Sequence, residues 1–228
     1  GEVGVDIYYY DIEKNVVQEK AFIPSTKSFA IAEEELGKMV YYNQDQNLLY
    51  ILAGGKFYKI DLTKDEQTVL AKNLEEGQYT VSADGHLIAY QTSGTINTAQ
   101  EIKVLNLKTD EENAVAAKSG EAIRPLGFIG SDFVYGYLRQ EDVGHTAAGG
   151  ELFPMYELEI RNSENEVMKT YSADQIYISD VFIEENMMTL NRVVKSGETY
   201  TVTSQDYISS NEEKKTKSIT LEAFSTDL

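Results

Sequence analysis

Residues 78–117, QYTVSADGHLIAYQTSGTINTAQEIKVLNLKTDEENAVAA, decide the fold. Tyr79, Thr80 and Val81 favour a pleated chain. Ser82-Ala83-Asp84-Gly85 follows as a turn, because glycine accepts positive φ without a clash and an aspartate can bond its own backbone. Leu87, Ile88, Ala89 and Tyr90 form an apolar run of strand length. Gly94 sits in a loop, after which Ile102, Val104, Leu105 and Leu107 resume the pattern. Lys108-Thr109-Asp110-Glu111 is a second turn, and residues 114–117 form a weak fourth strand. Strands this short with short connections make an antiparallel meander.

Weaker copies flank it. Residues 39–73 carry a turn at 43–47, a strand at 48–52, a tight hairpin at Ala53-Gly54-Gly55 and strands at 57–62 and 67–71. YKIDLTKDEQTVLA (58–71) and IKVLNLKTDEENAVA (102–116) share one order: strand, leucine, a Lys/Thr/Asp turn, glutamate, strand. Residues 121–173 and 174–228 repeat it again, the former interrupted by a long loop at 139–154 and the latter ending in a charged run at 211–215 and a strand at 218–224. At the front, 7–23 give strand, turn, strand. Residues 25–38 read as a strand or connector, although Ala30 to Leu36 could make a helical turn.

Third-strand motifs begin near Ile7, Tyr58, Ile102, Tyr156 and Tyr200, roughly 51, 44, 54 and 44 residues apart. A four-stranded unit recurring every 40–50 residues, roughly, is the period of a β-propeller blade, as in WD-like repeats. A sandwich has no such period. The expectation is an all-β chain, a β-propeller of four antiparallel blades and a partial one, read as a segment of a larger propeller. Its units are about 1–38, 39–77, 78–120, 121–173 and 174–228, in a single domain.

The phrase SADGHLIAY (82–90) resembles the SPDG-x-x-IAF signature of TolB-like and dipeptidyl-peptidase-type propellers, with Ala83 in place of the usual proline. Ile102 to Leu107 resembles their following strand. The other copies match loosely. Those positions are turn-makers and core, so the resemblance implies a fold and no activity. It also implies a propeller that binds a protein partner or gates a separate catalytic domain.

Composition narrows the partners. A net charge of -18 repels nucleic acid and anionic membranes alike. No cysteine is present, which removes disulfides, thiolate metal sites and cysteine nucleophiles. No apolar run approaches the roughly 20 residues of a membrane span. Gly1-Glu2 could be a scar of tag removal, with a leader or anchor cut away. An extracellular or cell-envelope location is expected.

Catalytic signals are weak. The two histidines, His86 and His145, lie far apart in sequence, and His86 follows a turn glycine. Asn43 to Asn47 and Asp61 to Asp65 offer oxygen ligands without the spacing of a calcium loop. Adjacent acids such as Glu184-Glu185 point to opposite faces of a strand or into solvent. G-x-S-x-G is absent. The expectation is therefore no enzyme, no catalytic residue, no metal and no cofactor. The 139–154 loop stands apart, because long loops carry function more often than their share. Its Arg139, Asp142, His145 and Phe153 are the candidate binding residues, for a protein or carbohydrate partner. The reading is a non-catalytic binding or scaffold module. Its competitor is an accessory domain of a secreted hydrolase whose catalytic part lies outside this chain.

Overall fold

A computed structural model describes residues 4–210. The chain lays down antiparallel sheets in order. β1 (Gly4–Asp11) and β2 (Val16–Pro24) form a two-stranded sheet. After helix α1 (Phe29–Lys38), β3 (Val40–Asn43), β4 (Leu48–Ala53), β5 (Lys56–Asp61) and β6 (Glu66–Ala71) form a four-stranded meander. β7 (Tyr79–Val81), β8 (Leu87–Gln91), β9 (Glu101–Asn106) and β10 (Glu111–Ala116) form the next.

The fourth sheet is larger. β11 (Glu121–Ile129), β12 (Asp132–Arg139), β15 (Met155–Arg161) and β16 (Val167–Tyr171) repeat the meander, and two short strands, β13 (Gly144–Thr146) and β14 (Glu151–Leu152), lie in the 139–154 connection. β17 (Ile176–Glu184) then pairs with β15 at Met155↔Ile178 and with β18 (Met187–Ser196) along its length. β18 takes β19 (Thr199–Val202) at one end and β20 (Asp206–Ser209) at the other. The third and fourth meanders expected from sequence are thus two halves of one ten-stranded sheet.

Four buried clusters lie between successive layers. Ile7 and Ile23 meet Ile51, Tyr58 and Ile60; Tyr50, Leu52 and Phe57 meet Ile88, Tyr90 and Leu105. Ala89, Ile102 and Val115 meet Ile123, Phe133 and Tyr135; Val134 and Leu158 meet Ile178, Met188 and Leu190. The second and third sheets each bury one face against the sheet before and the other against the sheet after, and the two halves of the fourth sheet enclose a cluster between them, as stacked blades do. Each fully buried Leu, Ile or Phe contributes about 1.5–3 kcal/mol, so these seams outweigh any single turn.

The first strands of successive sheets converge: β11 lies beside both β7 and β17. Gly127, at a bulge in β11, makes this approach possible. Its φ is +154°, and a Cβ there would sit 2.7 Å from Ile183 Cδ1 and 4.0 Å from Thr80 Oγ1. On the opposite side of each sheet the turns end on a residue at positive φ, taken by Asn47, Asp65, Asp110 and Asn165. Asn and Asp tolerate that conformation best after glycine.

Three local expectations are corrected. Residues 29–38 are helix, because Ala, Glu and Leu dominate and Phe29 and Ile31, at strand spacing, bury nothing: they are 77% and 46% exposed. The third-strand motif that begins near Tyr200 is not one strand but is broken between β19 and β20, which flank opposite ends of β18. The stretch read as one long loop at 139–154 contains a 3-10 turn and the strands β13 and β14. The charged run at 211–215 and the strand at 218–224 lie outside the described residues.

Candidate functional site

The connections between second and third strands gather at one rim. Gly54 donates its amide to Glu35 Oε2 of α1 at 2.6 Å, and Gly55 accepts from the Leu74 amide. In the next sheet two buried glutamines shape the rim. Gln78 Nε2 donates to Gln91 Oε1 at 3.1 Å, and Gln91 Nε2 donates to the carbonyls of Ile96 and Ile123, at 3.1 and 2.9 Å. Arg124, on β11, donates to Asn97 Oδ1 of the same loop, and Gln140 Nε2 donates to the Asn97 carbonyl at 3.3 Å. Burial pushes the Arg124 pKa down, opposed by the charge of Asp180 on β17. Its Nε is buried without a hydrogen-bond partner among the described residues.

The 139–154 connection is anchored by five side chains, Glu121, Tyr156, Tyr177, Tyr200 and Lys195. Arg139 Nε donates to Glu121 Oε1 at 3.1 Å, and its guanidinium lies 3.6 Å above the Tyr156 ring. Tyr156 in turn donates to Glu121 Oε2 at 2.6 Å. Asp142, in a 3-10 turn at Gln140–Asp142, is buried. Its Oδ1 accepts from Tyr177 at 3.1 Å and its main-chain carbonyl accepts from Tyr200 at 2.5 Å. The two rings meet edge-on with centroids 5.4 Å apart. Burial first, then the Asp142 charge, raises the Tyr177 pKa, so its hydroxyl keeps the proton it donates. Lys195 Nζ donates to the Glu141 carbonyl at 3.2 Å.

β13 then pairs antiparallel with β14 and parallel with β19, with His145 opposite Thr199. Gly144 is needed here, since a Cβ would meet the Glu198 carbonyl oxygen at 2.5 Å. Phe153 packs against the cluster beneath β12, β15 and β18. Of the four candidates, Asp142 and Phe153 hold the connection down, Arg139 is tied to Glu121 and Tyr156, and His145 stands exposed near the tip with 147–151. The structure brings Arg139 and Asp142 to one rim and turns Phe153 inward. Sequence reasoning missed Tyr177, Tyr200 and Lys195, which lie 35 to 58 residues downstream of their partners. A tyrosine in a strand gives no local sign of where its hydroxyl goes.

A second concavity lies at the opposite rim, between the third and fourth sheets. It encloses about 350 Å³, floored by Leu87, Val104 and Phe133 and bordered by Asn113, Arg161 and the 162–165 turn. Among the described residues no group of three or more His, Cys, Asp or Glu could hold a metal ion, and no helix is long and apolar enough to cross a membrane. His86 is spent locally, its Nδ1 2.6 Å from Asp84 Oδ2.

No family model matches the chain, and no curated protein matches it. Solved structures overlap it loosely. One is described as a putative TolB from Agrobacterium tumefaciens (10% identity, 88% of each chain covered, TM-score 0.29). Another is dipeptidyl peptidase 4 of Porphyromonas gingivalis (8% identity, 87% of this chain and 42% of that one, TM-score 0.29). A third is a protein from Lactobacillus plantarum (8% identity, 89% and 64% covered, TM-score 0.33). The chain thus spans less than two thirds of the length of the latter two. The blade architecture itself rests on the sheet order and the interleaved cores.

Proposed function

We propose that this chain is a non-catalytic binding module of a bacterial envelope or secreted protein, and that it engages a protein partner through the rim built around residues 139–154. The carrying observation is the anchoring of that connection. Asp142 is caged by Tyr177 and Tyr200, and β13 is zipped to β19, so the exposed tip at 145–151 is presented by a fixed frame. A surface held in this way loses little conformational entropy on binding, which favours recognition. The envelope setting follows the resemblance at 82–90.

The test is site-specific photo-crosslinking in the native host. A photoreactive side chain replaces Ala148 at the tip, and Thr68 on β6 as comparator. The reading expects one discrete adduct from position 148 that position 68 does not give. Identical adducts from both positions, or none from 148, would overturn it.

A further inference from the structure

The registers of the second and third sheets superpose residue by residue. The cross-strand row Leu48–Asp61–Glu66 corresponds to Leu87–Asn106–Glu111, and Tyr50–Lys59–Thr68 corresponds to Ala89–Val104–Asn113. In each case these rows face the following sheet. Between the second and third sheets they are bolted shut against the turn after β9. Tyr50 donates to Asp110 Oδ1 at 2.6 Å, and Lys59 forms an ion pair with the same carboxylate. Asn43 Nδ2 donates to the carbonyls of Leu107 and Lys108, at 3.0 and 2.8 Å.

Between the third and fourth sheets the counterparts of these contacts are missing at the same rim. Ala89 is too short to replace Tyr50, and Val104 has nothing to donate in place of Lys59. Ser82, which stands where Asn43 did, turns its hydroxyl onto Asp84 Oδ1 at 2.7 Å and accepts the Leu87 amide at 3.0 Å. Asn165 holds the position of Asp110, with the same φ of 63°. Among the described residues no hydrogen bond crosses from the third sheet to the 162–165 turn. The groove of about 350 Å³ is what this leaves, within the size range of small-molecule sites.

Its chemistry selects the occupant. The floor of Leu87, Val104 and Phe133 is apolar. Above it stand the amide of Asn113 and the carboxylates of Glu111 and Glu164. Arg161 is already engaged, donating to Tyr135 Oη at 2.6 Å and to the Asn165 carbonyl at 2.9 Å. An anion would meet two carboxylates on a chain of net charge -18. A cation would leave the donor half of the Asn113 amide facing it. A hydroxyl both donates and accepts, so it satisfies amide and carboxylate together. A ring with an apolar C–H face and hydroxyls around its edge matches floor and border at once. We propose that this groove binds one ring of a neutral saccharide, at a site separate from the 139–154 rim.

The test is a titration of the isotope-labelled chain with the methyl glycosides of glucose, galactose, mannose and N-acetylglucosamine, each to about 50 mM, followed by NMR. At least one is expected to shift the Asn113 side-chain amide and the backbone amides of 162–165 saturably. Asn113→Trp, on the outermost strand β10, fills the groove and is expected to abolish those shifts with the melting temperature unchanged. Asn113→Ala, which cannot overpack, is expected to weaken binding about tenfold. The proposal fails if none of the four glycosides gives saturable shifts at these residues. It fails equally if both variants bind as the parent does.

Discussion

The hydroxyl of Tyr200 reaches across 58 residues of sequence to the main-chain carbonyl of Asp142, 2.5 Å away. Together with Tyr177 on the carboxylate, it makes one buried turn the foundation of the 139–154 connection.

Tyr200→Phe removes that donor and leaves the Asp142 carbonyl buried without it. The expected cost is about 1–3 kcal/mol in urea denaturation. Amide exchange at 144–146 should accelerate, because β13 pairs with the same strand that carries Tyr200. A variant with parental exchange there would mean the hydroxyl does not hold the loop.

Asp110→Ala should loosen the seam between the second and third sheets. It strands the buried Tyr50 hydroxyl and unpairs Lys59, whose side chain is 27% exposed. A loss of about 1–2 kcal/mol is expected, the partial exposure keeping it below the cost of a fully buried pair. Asp110→Asn, which keeps an acceptor for Tyr50 and, unlike alanine, suits the φ of 63° at this position, should lose less. Equal losses for both variants would assign the effect to something other than this hydrogen bond.

Gly127→Ala should destabilise more than Gly85→Ala. Both glycines sit at positive φ, but a methyl at 127 meets Ile183 Cδ1 at 2.7 Å, whereas at 85 nothing lies within 4 Å. Gly85→Ala is expected to cost about 1 kcal/mol from backbone strain alone. Gly127→Ala adds the displacement of Ile183, and the comparison of urea midpoints reads the difference.

Stability should hold across a broad plateau of pH and fall at both ends. Burial raises the pKa of Tyr50, Tyr90, Tyr135 and Tyr200 above the ordinary value of 10.0. The folded state therefore keeps protons that the unfolded chain releases, and stability is lost as pH rises above about 10. At the acid end, the turn amides and the ammonium of Lys64 hold Asp61 below its ordinary range, and the Tyr207 amide and Tyr171 hydroxyl do so for Asp206. Their contribution is present above the ordinary value of 3.8 and is lost as pH falls through it. Denaturation midpoints measured from pH 3 to 11, roughly, check both limbs, and Tyr50→Phe should flatten the alkaline one.

Much of this architecture is written in short-range chemistry. Gly54 and Gly55, both at positive φ, announced their hairpin, and Ser82-Asp84-Gly85 announced theirs. Apolar runs such as Leu48 to Leu52 are buried strands as read. What escaped depends on distance. The helix at 29–38 was obscured because Phe29 and Ile31 face solvent and only Leu36 packs against a core, so no periodic stripe marks it. The caging of Asp142 needs two tyrosines from other strands. The groove beside Asn113 is visible only when Ala89 and Val104 are set against Tyr50 and Lys59 in register, and substitutions to smaller or shorter side chains look unremarkable in a strand.

The pairing of Met155 with Ile178 joins β15 and β17 through the main chain. From β11 to β20 the molecule is therefore one main-chain-paired sheet, and the Ile123 amide ties it to the Ala99 carbonyl of the sheet before it. Its boundary with the third sheet is fastened at one rim, where Gln91 and Asn97 meet Ile123, Arg124 and Gln140, and open at the other, beside Asn113.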